Sequence, residues 1–146
     1  MADPRPPTDP ARLQVTRHAL DGVAELMGVA LERSAYSPNI TERLYLSAAI
    51  FSPSGEMVAQ AEHIPVHLGS MPASVDSILG AFDLSPGMTA VVNDPYRGGS
   101  HLPDITLVGA VGDREDGRSG RLIGYVANRA HHADIAGAAP GSMPAD

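Results

Sequence analysis

The sequence contains neither cysteine nor lysine. Without thiols it has no disulfide, no thiolate nucleophile and no Cys-ligated zinc. Without lysine it has no Schiff base and no phosphate loop of the G-K-[ST] type, so any ATP chemistry takes another route. No apolar run approaches the ~20 residues of a membrane-spanning helix. The opening MADPRPPTDPAR lacks the apolar centre of a secretory signal. The expectation is a cytoplasmic protein with no membrane partner. A basic stripe is also missing: the ten arginines are scattered and the net charge is −7, which argues against nucleic acid as a partner. Neither a G-x-S-x-G elbow nor a dinucleotide fingerprint occurs.

What remains is enough for one domain with a real core: 146 residues, 43% of them hydrophobic. Residues 1–9 are Pro-rich and read as a flexible arm. Asp9-Pro10 is a helix start. Leu13, Thr16, Leu20, Val23, Met27, Ala30 and Leu31 then follow at helical spacing, predicting a helix to about Ser34. Gly22 and Gly28 weaken it but permit close packing. Strands are predicted at 44–51 and 56–61, joined by the turn SPSG, and at 88–93, 104–111 and 121–128. GDREDGRSG reads as the hairpin connection between the last two. Ser70 is placed to cap a helix through MPASVDSILGAF. The fold class predicted is α+β, a mixed, largely antiparallel sheet with the N-terminal helix and a second helix packed on it.

GSMP occurs twice, at 69–72 and 141–144, each time after a His-bearing loop. It reads as a helix-entry signal. The second copy predicts a helix where only two residues remain, so residues 10–146 read as a truncated domain or one that a separate chain completes.

Five of the six histidines lie in three loops, each with acid: His63 and His67 with Glu62, His101 with Asp94 and Asp104, His131 and His132 with Asp134. Imidazole and carboxylate without thiolate are the ligand set of zinc, manganese or non-haem iron. His101-Leu-Pro-Asp104 sets two donors three apart at the mouth of a strand, and Pro103 stiffens the spacing. If the strands at 104–111 and 121–128 are hairpin partners, His101 and His131 emerge at the same sheet end. The metal set is therefore His101, Asp104 and His131. Pro65 argues against a helix carrying His63 and His67, which are read as loop-shaping, and His18 as structural. His132 and Asp134 are held as groups acting behind the ligands, and Asp94 is balanced between an Asx turn and a catalytic acid. These three are the catalytic candidates. Arg97, Gly98 and Gly99 are balanced between an anion-binding nest and a tight turn.

The blocks SPNITER (37–43), VAQAEHIPVHLGSMP (58–72), NDPYRGGSHLPDI (93–105) and VANRAHHADIAG (126–137), in this order, resemble the hydantoinase B/oxoprolinase family. The likeness runs from about Asp9 to the end and covers the N-terminal part of much longer members. It implies a division of labour. A partner A-type subunit binds ATP and phosphorylates an amide or enolate oxygen, which removes amide resonance and supplies a leaving group. The B-type subunit holds a divalent metal, zinc or manganese, and completes hydrolysis of a hydantoin or 5-oxoproline-like ring. In the related acetone and acetophenone carboxylases it serves carbon–carbon bond formation on a ketone. A hetero-oligomer and a small-molecule substrate follow. The family's ligands fall on His101, Asp104 and His131. Members usually carry an acid two residues after the Glu42-Arg43 pair, and this chain has Tyr45 there, a poor ligand for a hard cation. The cyclic-amide hydrolase is the expectation, inactive alone. A ketone carboxylase subunit and a non-catalytic assembly piece are the alternatives. Absence of lysine beside abundant Ala and Arg is associated with GC-rich bacteria.

Overall fold

The structure, a computed structural model, describes residues 9–62, 64, 67, 69–115 and 118–142. His63, nearly all of the arm expected at 1–9 and most of the helix expected after the second GSMP lie outside the described residues.

Helix α1 (Pro10–Ser34) begins as its sequence dictates: the Asp9 carboxylate accepts from the Ala11 N–H, and Pro10 occupies the first turn. Its buried face differs from the one predicted. Ala24 and Gly28 are buried, whereas Leu13 and Val23 are exposed. The helix packs on β1 (Leu46–Phe51) and β2 (Met57–Glu62), and small residues allow its backbone to approach them closely. A single turn, α2 (Pro38–Thr41), follows and buries Ile40.

Helix α3 (Ser70–Ala81), β3 (Thr89–Val92), β4 (Asp104–Glu115) and β5 (Arg118–His131) complete the framework. The sheet order is β2-β1-β5-β4-β3 and every neighbouring pair is antiparallel. The connection expected at GDREDGRSG is shorter than predicted. The ladder runs on to Glu115 opposite Arg118, with register irregularities around Gly112. A hairpin turn needs only a few residues, and Gly112 marks a bulge inside the ladder rather than its end. The capping prediction is also corrected. Gly69, in the left-handed region at φ 75°, is the N-cap, and Ser70 is already helical. The Ser70 hydroxyl instead donates to the His67 carbonyl at 3.2 Å and accepts from Arg129.

Alternation along the strands divides the residues between two faces. Ala49 and Phe51, Val108 and Ala110, Tyr125 and Ala127 meet Met71, Val75 and Ile78 of α3. Those α3 residues recur at i, i+4 and i+7, one helical stripe. Each large apolar side chain buried there contributes about 1.5–3 kcal/mol. The opposite face carries Leu46 and Ala130, packed with Ile40, Leu31 and Ala35. The same alternation carries Thr106 and Asp104 of β4, and Arg129 and His131 of β5, onto the α3 side. The core face thus turns polar at one end of the sheet. Among the described residues, no helix is long and apolar enough to cross a membrane.

Candidate metal centre

Strand β4 starts at Asp104 and β5 ends at His131, and these two residues are register partners. Three backbone bonds fix this corner. His131 N–H donates to the Tyr45 carbonyl at 2.9 Å, His132 N–H to the Pro103 carbonyl at 2.9 Å, and Asp104 N–H to the His101 carbonyl at 2.9 Å. The last bond closes the turn that His101-Leu-Pro-Asp104 forms and swings the His101 ring back over the strand end.

The side chains converge. His101 Nε2 lies 2.9 Å from His131 Nδ1, and His131 Nδ1 lies 3.0 Å from Asp104 Oδ1. His101 Nδ1 is 3.4 Å from Asp104 Oδ2, and the Ser100 hydroxyl donates to the same oxygen. One donor atom from each of His101, Asp104 and His131 falls within 4.8 Å of the others. A cavity of about 190 Å³ opens onto them, walled also by Tyr45, Ile64 and His67. The Tyr45 ring stands edge-on to His131, centroids 5.8 Å apart. The position where the resemblance expects an acid therefore does face this cavity.

Asp104 is 1% exposed. Burial raises its pKa, but contacts with His67, Ser100 and His131 and the nearby charge of His101 outweigh that and hold the carboxyl well below its usual range. An ionised, buried carboxylate flanked by two imidazoles suits a divalent ion of the zinc or manganese kind. Among the described residues three protein donors meet here, the number that catalytic zinc sites commonly supply. The residues present fit the group.

Two functional neighbours were not legible as such. His67, read as loop-shaping, is buried, with Nδ1 2.8 Å from Ser47 Oγ and Nε2 3.6 Å from Asp104 Oδ2. The signal was Ser47, a polar residue inside the apolar run LYLSAAIF, because a buried hydroxyl needs a partner. Arg129 is fully buried as well. Its Nε donates to Thr106 Oγ1 at 2.8 Å, and its terminal nitrogens donate to the hydroxyls of Ser70 and Ser74 and to the Gly98 carbonyl. Burial lowers its pKa and the charge of Asp104 opposes that. Tyr125, Ala127 and Arg129 share one face, so strand alternation alone placed this guanidinium inside.

The other candidates are not brought to this corner. Asp94 accepts from the Tyr96 N–H at 2.9 Å, capping the 3-10 turn Pro95–Arg97, and lies 3.8 Å from Arg97 in an exposed pair. The Gly99 N–H is engaged by the Asp94 carbonyl at 3.1 Å. Gly98 sits at φ +83°, and a Cβ there would collide with the backbone of Ala73 and Ser74. Close packing on α3 thus accounts for Gly98, and a Cβ on Gly99 would meet the backbone of Asp94 and Asn93. His132 lines a different cleft, about 410 Å³, on the opposite face with Leu31, Ile40, Ile105 and Ala130. This larger cleft is mostly apolar, and Ser37 Oγ and Asn128 Oδ1 on it are buried without hydrogen-bond partners. Asp134 is exposed. Its oxygens accept from the N–H groups of Gly141 and Ala136 and from the Ser142 hydroxyl, which lower its pKa and mark it as the organiser of a turn.

Residues 9–146 match the model of the family described as hydantoinase B/oxoprolinase. The chain is 46% identical over 138 residues to 5-oxoprolinase 1 of Arabidopsis thaliana, covering 93% of this chain and 10% of that protein. It is 30% identical to the caprolactamase subunit beta of Pseudomonas jessenii, covering 94% of this chain and 23% of that subunit. The crystal structure of the ATP-dependent caprolactamase from that organism superimposes with a TM-score of 0.76 over 93% of this chain and 23% of its own. A nucleotide-free acetone carboxylase shares the fold, at a TM-score of 0.66 and 20% identity over 84% of this chain and 16% of its own. The chain thus spans between a tenth and a quarter of the oxoprolinase and caprolactamase chains it matches. It belongs to the hydantoinase B/oxoprolinase family.

Proposed function

We propose that this chain carries the metal-holding corner of a B-type subunit in an ATP-dependent hydrolase of cyclic amides, acting on rings of the hydantoin or 5-oxoproline class. The observation that carries the reading is the meeting of His101, Asp104 and His131 at one sheet end, open to a cavity. When bound, a zinc or manganese ion supplies positive charge and Lewis acidity at an amide carbonyl. The protein's own contribution is positional. Asp104 brings an ionised carboxylate, and His131 is held by the Tyr45 carbonyl through its backbone. His101 comes from a turn that Pro103 stiffens and the Asp104 N–H closes. ATP is handled by an A-type partner subunit, in keeping with the absence of lysine from this chain.

The oxoprolinase and caprolactamase relatives support a hydrolase over a ketone carboxylase, since the acetone carboxylase likeness is one of fold. The test is ATP consumption by this chain with an A-type partner. Turnover is expected with 5-oxoproline or a hydantoin, and turnover only with ketone plus bicarbonate transfers the reading to the carboxylase. Manganese or zinc binding is measured in parallel. Equal, negligible binding by the native chain and by His101→Ala ends the metal reading.

A further inference from the structure

His67 is not one of the three groups whose donor atoms share a common point, yet it walls the same cavity and is 1% exposed. Its backbone is braced on both sides. The His67 N–H donates to the Ile64 carbonyl at 3.2 Å, and its own carbonyl accepts from Ser70 in the first turn of α3. Nδ1 is 2.8 Å from the hydroxyl of Ser47, which is itself fully buried. That leaves Nε2 as the free edge of the imidazole, and it faces Asp104 Oδ2 at 3.6 Å.

We infer that His67 is a positioning residue for the metal centre, holding the Asp104 carboxylate at a fixed angle from behind. This rests on the metal reading above. The two oxygens of Asp104 have different surroundings: Oδ1 faces His131, and Oδ2 faces Ser100, His101 and His67. A carboxylate on a strand end rotates easily about its last bond unless both oxygens are engaged. With a carboxylate oxygen facing Nε2, the ring N–H belongs on that nitrogen. Nδ1 is then the acceptor, and the Ser47 hydroxyl, 2.8 Å from both Nδ1 and the Leu46 carbonyl, turns its hydrogen to Nδ1. At 3.6 Å the approach to Asp104 is longer than a hydrogen bond. It is instead a charge–dipole contact between groups removed from water, where such contacts are strong. The Ser47–His67–Asp104 chain links β1 and the entrance of α3 to the ligand on β4. Outer partners of this kind typically change metal affinity 10–100-fold when removed.

Two substitutions separate the halves of the imidazole. His67→Asn keeps an amide near the Nδ1 position and its bond to Ser47, but loses the group facing Asp104. His67→Gln places an amide nitrogen near the Nε2 position. Manganese and zinc dissociation constants are measured by calorimetry on the full chain, with the absorption spectrum of the cobalt-substituted protein reporting ligand geometry. The expected result is roughly 10–100-fold weaker binding and an altered cobalt spectrum for His67→Asn. His67→Gln recovers affinity to within a few-fold. Unchanged affinity and spectrum in His67→Asn, while His101→Ala abolishes binding, overturn this inference and leave the metal reading intact. Equal losses in Asn and Gln variants, matched by equal losses of thermal stability, also overturn it in favour of simple packing. A native chain that binds neither ion overturns both.

Discussion

His101 and His131, thirty positions apart, present ring nitrogens 2.9 Å from one another across a shared neighbour, Asp104. The two rings touch, but the backbones that carry them are fixed independently. His101 is set by the turn closing on Asp104, and His131 by the β4–β5 ladder and the Tyr45 carbonyl. Removing one ring leaves the backbone under the second in place, so each substitution probes binding rather than folding. His101→Ala and His131→Ala are each expected to weaken manganese or zinc binding by more than about 100-fold, exceeding the loss of an outer partner. Equilibrium dialysis with metal analysis measures this, and circular dichroism should stay unchanged.

Tyr45 stands where the resemblance leads one to expect an acid, and its ring borders the cavity. Replacing phenol by carboxylate adds a negative donor beside the cation. Tyr45→Asp is expected to tighten manganese binding about tenfold, equivalent to ~1.4 kcal/mol. The same titration reads it. No gain would show that the aspartate does not reach the ion from this strand entry.

Asp104 also links stability to pH. Its folded-state pKa is depressed, so its contribution is fully present above the unfolded value, near 3.9. That contribution is lost as the pH falls from there towards the lower folded value. Metal-free protein is therefore expected to lose urea resistance progressively below about pH 4. Asp104→Asn should flatten that part of the profile.

Arg129 carries a full charge into the interior and bonds four neutral groups there. Arg129→Met takes a donor from Thr106, Ser70, Ser74 and the Gly98 carbonyl at once, with an expected cost of about 3 kcal/mol. Arg129→Lys recovers little, because an ammonium cannot reproduce the fork. Chemical denaturation at neutral pH gives both values.

Gly98 tests the packing account of the glycine pair. An alanine there meets the α3 backbone and must also hold φ +83°. The expected loss is roughly 2–3 kcal/mol. An anion-binding nest would instead show itself as phosphate protection against unfolding in the native chain.

The corner formed by His101, Asp104 and His131 was legible because two strand ends and a Pro-stiffened turn are local features, and antiparallel pairing does the rest. The limits of α1 were legible for the same reason, through Asp9 and Pro10. What escaped depends on contacts between distant segments. His67 gains its meaning only when α3 docks beside β1, and Pro65 drew attention to the loop rather than to the burial. The apolar face of α1 was misplaced because large side chains mark amphipathicity in a sequence, whereas close helix–sheet contact selected Ala24 and Gly28. His132, adjacent to a ligand candidate in sequence, is separated from it by the thickness of the sheet.

That last separation makes the hairpin a ruler. Asp104 to Val111 pair in unbroken succession with His131 to Gly124, and every irregularity falls beyond, around Gly112. A one-residue deletion in β4 inside the unbroken stretch would set Asp104 opposite Ala130, on the other face of the sheet, and part it from the two imidazoles. Beyond the bulge, length can change at the distal tip without disturbing the donors, so that end of the ribbon is where this chain can accept insertions at little expense to its chemistry.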